Sequence, residues 1–232
     1  MTRSHIRMPR ASNEATLDGS IYSLYYSPDR ASLAIHWMLI ELGVPFNAHL
    51  VDFATNAHKS ADYLRLNPDG MVPTLVIDGK PHFESAALAL LLAERHPEGG
   101  LCLAPGAPGR ADYLQWMLYF ANTLQPLYRA WFYTDEVGGA ESAEAVRTRA
   151  RAGIEKVWER VDARLRESPY IADTKPSAVD FHAVMLMRWS RYTPKPADQW
   201  GAIIVYLERM MAIKSFALLR QREGIDIWPI RS

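Results

Sequence analysis

The chain has 232 residues, and its 26 Lys plus Arg balance 26 Asp plus Glu, which excludes the basic footprint of a phosphate-backbone binder. Apolar residues make up 49% and aromatics 11%, enough for a packed core in one large domain or two modest ones, so wholesale disorder is excluded. The one cysteine, Cys102, rules out an intramolecular disulfide framework, a CxxC redox pair and a thiolate zinc cage.

The first residues, MTRSHIRMPRASNEATLDGS, contain no apolar run long enough for a signal-peptide core, and Glu14 and Asp18 interrupt the arginines that a transit peptide would carry. Residues 1–19 are expected to be a frayed, solvated extension. No stretch approaches the ~20 consecutive apolar residues of a membrane span. The expectation is a soluble, cytoplasmic protein with no membrane and no nucleic-acid partner.

From residue 21 the pattern alternates. Ile21–Tyr26 reads as a short strand closed by Ser27-Pro28-Asp29, and Ala31–Leu42 as a helix ended by Gly43 and Pro45. Phe46–Val51 fits a second strand and Lys59–Leu66 a short helix. Thr74–Ile77 is followed by the hairpin signal Asp78-Gly79, with His82-Phe83 returning as its partner. Ser85–His96 completes a βαβ-α-ββα order. It is too short for a doubly wound nucleotide fold and carries no phosphate-binding glycine motif.

The segment 97-PEGGLCLAPGAPG-109 cannot continue a helix, so a linker is expected at 97–107 between a lobe at 20–96 and another at 108–232. Cys102 lies there without an adjacent His or basic residue and reads as a small apolar contact. Beyond the linker no strand pattern competes. Leu114, Met117, Leu118, Ala121, Leu124 and Tyr128 mark one helix face, and Val146, Ala150, Ile154, Val157, Val161 and Leu165 another. Ala178–Arg188 and Gly201–Met211 supply further helices. In Leu124-Gln125-Pro126-Leu127 the proline lacks an N–H and should bend its helix. Ser177 and Asp180, three apart before an apolar run, have the spacing of a capping box. His36, His82, His96 and His182 show no metal-ligand spacing, so no metal is expected.

One set of motifs carries more information. Asn67-Pro68-Asp69-Gly70-Met71-Val72-Pro73-Thr74-Leu75, followed by Phe83-Glu84-Ser85, resembles the NPxGxVPxL…ES signature of the glutathione transferase superfamily. Pro176-Ser177-Ala178-Val179-Asp180-Phe181 resembles its helix-six capping box. Tyr25-Tyr26-Ser27-Pro28 with Ser32-Leu33-Ala34 and His36 is similar to bacterial beta-class members. The resemblance spans about residues 21–225. It implies a thioredoxin-like α/β lobe followed by an all-α lobe, in a homodimer.

The same resemblance implies a cis Val72-Pro73 bond with Met71, Val72 and Pro73 against glutathione, the peptide adding like a strand. Ser85, an N-cap residue by its position, and Glu84 would receive the γ-glutamyl end. The beta-class cysteine position is Ala31 here, which leaves hydroxyl activation of the glutathione thiol. Ser32 is the first choice and Ser27 its competitor, with Tyr25 and Tyr26 more distant. Tyr119, Asn122, Arg129 and Trp131 are expected to wall the pocket for a small hydrophobic electrophile, where Gln125 replaces a beta-class His. Ser177 and Asp180 are assigned folding only. The implied activity is conjugation of glutathione as co-substrate. Glutathione-dependent isomerisation or dehalogenation, or a non-catalytic glutathione-binding module, are the alternatives.

Overall fold

The computed structural model describes residues 21–138, 142–226 and 228. The extension expected over 1–19 lies outside the described residues. The elements of the first lobe are β1 (Tyr22–Tyr26), α1 (Ser32–Glu41), β2 (Phe46–Leu50), α2 (Ala61–Leu66), β3 (Thr74–Ile77), β4 (Lys80–His82) and α3 (Ser85–Arg95). The helical lobe contains α4 (Arg110–Tyr119), α5 (Gln125–Phe132), α6 (Thr134–Gly138), α7 (Ala143–Glu167), α8 (Ala178–Trp189), α9 (Gly201–Met211) and α10 (Lys214–Glu223).

The sheet order is β2-β1-β3-β4; β1 is parallel to β2 and antiparallel to β3, which is antiparallel to β4. Asp78 and Gly79 both have positive φ, 51° and 78°, as a primed hairpin turn requires. One consequence governs the site. The C-terminal ends of β1, β2 and β4 and the N-terminal end of β3 all emerge on the same edge of the sheet. In space they present residues near 51–53, 27–31, 72–73 and 83–85 in that order.

The expected alternation is present, and α1 exceeds it. Ser32 through Leu39 are all buried because the sheet lobe holds one side while α8 and α10 cover the other. Trp37 locks this junction. Its ring packs on Phe181 at 4.6 Å and Phe216 at 4.8 Å, and its Nε1–H donates to Ser215 at 2.8 Å. A helix buried on nearly every face belongs to both lobes.

Two features of the helical lobe depart from the sequence reading. Between α4 and α5, Phe120–Leu124 forms a π turn, so the proline at 126 follows a register shift. The helix α10 was not expected, because only Phe216, Leu219 and Glu223 of its residues are buried and the apolar stripe is thin. Ser177 and Asp180 form a capping box at the start of α8. Asp180 also accepts from the Ile171 amide at 3.0 Å and the Tyr206 hydroxyl at 3.0 Å, so one carboxylate gathers three segments. Asp162 of α7 similarly accepts from the Ala202 amide at 2.7 Å, capping α9 from a distant helix.

Candidate active site

A cavity of about 840 Å³ lies between the sheet edge and the helical lobe. Its sheet-side wall starts with the loop before β3. Asn67 is buried; its side chain accepts from the Asp69 amide at 3.1 Å and donates to the Met71 carbonyl at 2.9 Å. The Tyr63 hydroxyl donates to the same carbonyl, and burial pushes that phenol up to about 12, keeping it a donor. Gly70 has φ 63°, and a Cβ there would stand 2.9 Å from the His58 carbonyl oxygen. This explains the Asn and Gly of the motif: an Asx turn and a close backbone approach fix the loop.

The Val72-Pro73 bond that follows is cis. The Val72 amide and carbonyl have no hydrogen-bond partner among the described residues. Met71, Val72 and Pro73 all line the cavity, as do Glu84 and Ser85. Ser85 departs from its expected place: Glu84 occupies the cap position and Ser85 is the first helical residue, without a capping bond. The Ser85 side chain therefore keeps its hydroxyl for the cavity. Glu84 holds φ 72° and ψ 97°, a region costly for a residue with a Cβ, where strain of ~1–3 kcal/mol is usual.

Asp29 fixes the loop between β1 and α1. Its carboxylate accepts from Arg188 Nε at 2.8 Å and from Arg191, its carbonyl accepts from Trp189 Nε1–H at 3.0 Å, and its amide donates to Glu223 at 3.2 Å. Burial raises this carboxyl, and the hydrogen bonds and charges of Arg188 and then Arg191 outweigh it, holding the pKa below 3.8. The other Glu223 oxygen lies 2.8 Å from His36 Nδ1, both side chains being buried. Helices α8 and α10 thus clamp the loop that presents Ala31 to the cavity.

The structure does not bring Ser32 to the cavity. Its hydroxyl is fully buried, donating to the Ser27 carbonyl at 3.0 Å and accepting from the Ser27 amide at 3.1 Å. This closes the β1–α1 loop on itself, and it corrects the expectation that Ser32 faces a ligand. Ser27 is also buried off the cavity wall, as is Tyr25, and the half-buried Tyr26 lies off it too; burial pushes both phenols up, the Glu223 charge adding to the effect on Tyr26. The position of the missing cysteine, Ala31, does line the cavity. So does Arg30, whose guanidinium sits 3.7 Å from the Phe53 ring centre and makes no ion pair among the described residues.

The helical wall departs more. Of the expected residues only Arg129 lines the cavity; Tyr119, Asn122 and Trp131 do not. The π turn shifts the register, and the Tyr119 ring turns to the Arg160 guanidinium, 4.8 Å from its centre. The wall is built instead by Gln125, Tyr128, Phe132, Tyr133, Trp189 and Tyr192. Tyr128 contacts Phe132 and Trp189, and Phe132 meets Tyr192 edge-on at 6.1 Å. Tyr128 and Phe132 stand four apart on one helix, a signal the sequence carried; Tyr192 carried none. Cys102 is partly buried beside Arg110, away from this cavity. Among the described residues no group of three or more His, Cys, Asp or Glu could hold a metal, and no helix is long and apolar enough to cross a membrane.

A four-stranded thioredoxin-like lobe joined to a helical lobe, with a cis-proline loop and a helix start facing the cleft between them, defines a class. Residues 31–95 match the family model described as glutathione S-transferase, N-terminal domain, and 113–214 the corresponding C-terminal domain. The chain is 31% identical over 208 residues to glutathione S-transferase GST-4.5 of Xanthomonas campestris, covering 88% of this chain and 99% of that protein. Among solved structures it is similar to a glutathione S-transferase from Xylella fastidiosa (26% identity, TM-score 0.80). Another is a sphingomonad glutathione S-transferase complexed with glutathione (25%, TM-score 0.77). Each covers 88% of this chain and 100% of the other. The chain belongs to the glutathione S-transferase family, and it lacks a cysteine at Ala31.

Proposed function

We propose that the protein conjugates reduced glutathione to small hydrophobic electrophiles, binding the tripeptide along the sheet edge. The observation that carries this is the order of unsatisfied groups there: the Ser85 hydroxyl, the Val72 amide and carbonyl, then the Arg30 guanidinium on Phe53. The γ-glutamyl carboxylate goes to Ser85 and the start of α3, with Glu84 beside its ammonium. The cysteinyl backbone pairs with Val72. The glycyl carboxylate reaches Arg30 at the far end, and the thiol is left beside Ala31.

Ionising that thiol near neutral pH requires lowering its pKa by ~2 units from ~8.5, or about 2.7 kcal/mol of preferential thiolate stabilisation. With the Ser32 hydroxyl committed to Ser27, the start of α1 supplies this through backbone amides and its dipole. The sulfur then attacks the electrophilic carbon as the leaving group departs, and the aromatic wall holds the acceptor. Family resemblance also favours a cytoplasmic homodimer. Calorimetry with reduced glutathione, followed by spectrophotometric conjugation of an aryl halide, tests the proposal. Saturable heat with turnover supports it, heat without turnover selects the non-catalytic binding module, and no heat removes both.

A further inference from the structure

Gln125 and His182 form a pair that peptide binding leaves without a task. Gln125 opens α5 directly after the π turn and lines the cavity. His182 of α8 is fully buried, with Nε2 3.1 Å from Gln125 Oε1, and its Nδ1 has no partner among the described residues. A buried orphan N–H is rarer and costlier than an under-satisfied acceptor, so the proton belongs on Nε2. His182 therefore donates to Gln125 Oε1, which leaves the Gln125 NH2 as an uncommitted donor at the cavity wall. Burial drives the His182 pKa down to about 4, so the imidazole is neutral at neutral pH and the direction of the bond is constant.

Of the other polar groups of this wall, the Tyr133 hydroxyl also has no hydrogen-bond partner among the described residues, and the following are engaged. The Tyr128 hydroxyl accepts from Trp158 Nε1–H at 3.2 Å, Arg129 is paired with Glu136, and Arg191 with Asp29. Across the cleft, Ala31 offers no side-chain donor.

We propose that Gln125 is a catalytic residue whose amide N–H donates to the glutathione sulfur, and that His182 is the positioning residue that aims it. The inference rests on the glutathione reading of the cleft. On ionisation the thiol proton passes to bulk water and the S–H electron pair remains on sulfur, where the amide N–H and the start of α1 stabilise it. A register shift ahead of α5 is what allows one residue to face both the buried imidazole and the cavity.

Ultraviolet titration of the bound thiolate provides a readout separate from turnover. Gln125→Met keeps the bulk of the side chain and removes the donor. It is expected to raise the pKa of bound glutathione by about one unit or more and lower kcat/KM about 10-fold. His182→Phe should do the same, and His182→Gln, which restores a donor near Nε2, should recover part of the loss. His182 is fully buried, so Gln125→Met, at a partly exposed position, is the deciding variant. Calorimetry on the wild type separates the two ways to fail. If the wild type binds no glutathione, the reading of the cleft fails and takes this inference with it. If it binds and Gln125→Met leaves the thiol pKa unchanged, this inference alone is overturned.

Discussion

The two walls of the cleft solve different problems. The sheet-side wall ties up Asn67 and Asp29 but leaves other polar groups unsatisfied among the described residues: Val72 keeps a bare amide and carbonyl, Ser85 a hydroxyl without a capping bond, and Arg30 a guanidinium without an acid. The helical wall pairs almost everything it owns, tying Tyr128 to Trp158, Arg129 to Glu136 and Trp189 to the Asp29 carbonyl. A wall of fixed, unpaired groups suits one peptide bound in one pose. A wall of stacked rings with their polar atoms turned inward offers surface rather than direction, which suits variable apolar partners.

The largest expected effect separates the framework of the helical lobe from its wall. Asp180→Ala removes a buried acceptor shared by Ser177, Ile171 and Tyr206, and should cost about 3–5 kcal/mol in denaturant unfolding. Glutathione affinity per folded molecule should not change. A variant with lost affinity and intact stability would contradict the division. Next comes Ser85→Ala, expected to weaken glutathione binding about 10- to 100-fold by calorimetry while the melting temperature holds.

Asp29 joins the walls and brings a pH signature. Its folded pKa lies below the unfolded value of 3.8, so its stabilisation is complete above 3.8 and is lost as pH falls through the lowered folded value. Asp29→Asn should cost about 1–2 kcal/mol near neutrality, and the gap to wild type should close in strong acid. A gap that widens on acidification breaks the clamp. Ser32→Ala is smaller still: about 1 kcal/mol of stability for a reciprocal hydrogen bond, with kcat/KM per folded molecule retained. A large kinetic loss without a stability loss would restore Ser32 as a ligand-facing group. The smallest effect falls on the rings. Phe132→Ala should raise KM for an aryl electrophile about two- to ten-fold and leave KM for glutathione alone.

How legible each wall was in the sequence follows from how each is made. The sheet wall depends on local rules: Asn67 and Gly70 shape one loop, Asp78-Gly79 closes one hairpin, and Glu84-Ser85 opens one helix. These act within a few residues, so the motif stands intact along the chain; its resemblance to the glutathione transferase signature brought Met71, Val72, Pro73, Glu84 and Ser85 to one candidate site, and all five line the cavity. Ser32 defeated the same reasoning because its hydroxyl turns back to Ser27, a backbone choice that a helix-start serine does not advertise. Asn122, inside the π turn, failed for another reason. A π turn moves every later side chain by a fraction of a turn, and spacing counted through it points to the wrong face.

Periodicity, turn chemistry and the motif around Val72-Pro73 determined the order of elements, the two-lobe architecture and the family. They could do so because each rests on backbone preferences within a short window. The clamp on Asp29 from Arg188, Arg191 and Glu223, the capping of α9 by Asp162 and the pairing of Gln125 with His182 were decided only in the folded molecule. Those partners lie 40 to 194 residues apart, and pairings at that separation are selected by how the lobes pack, since no local preference links one partner to the other.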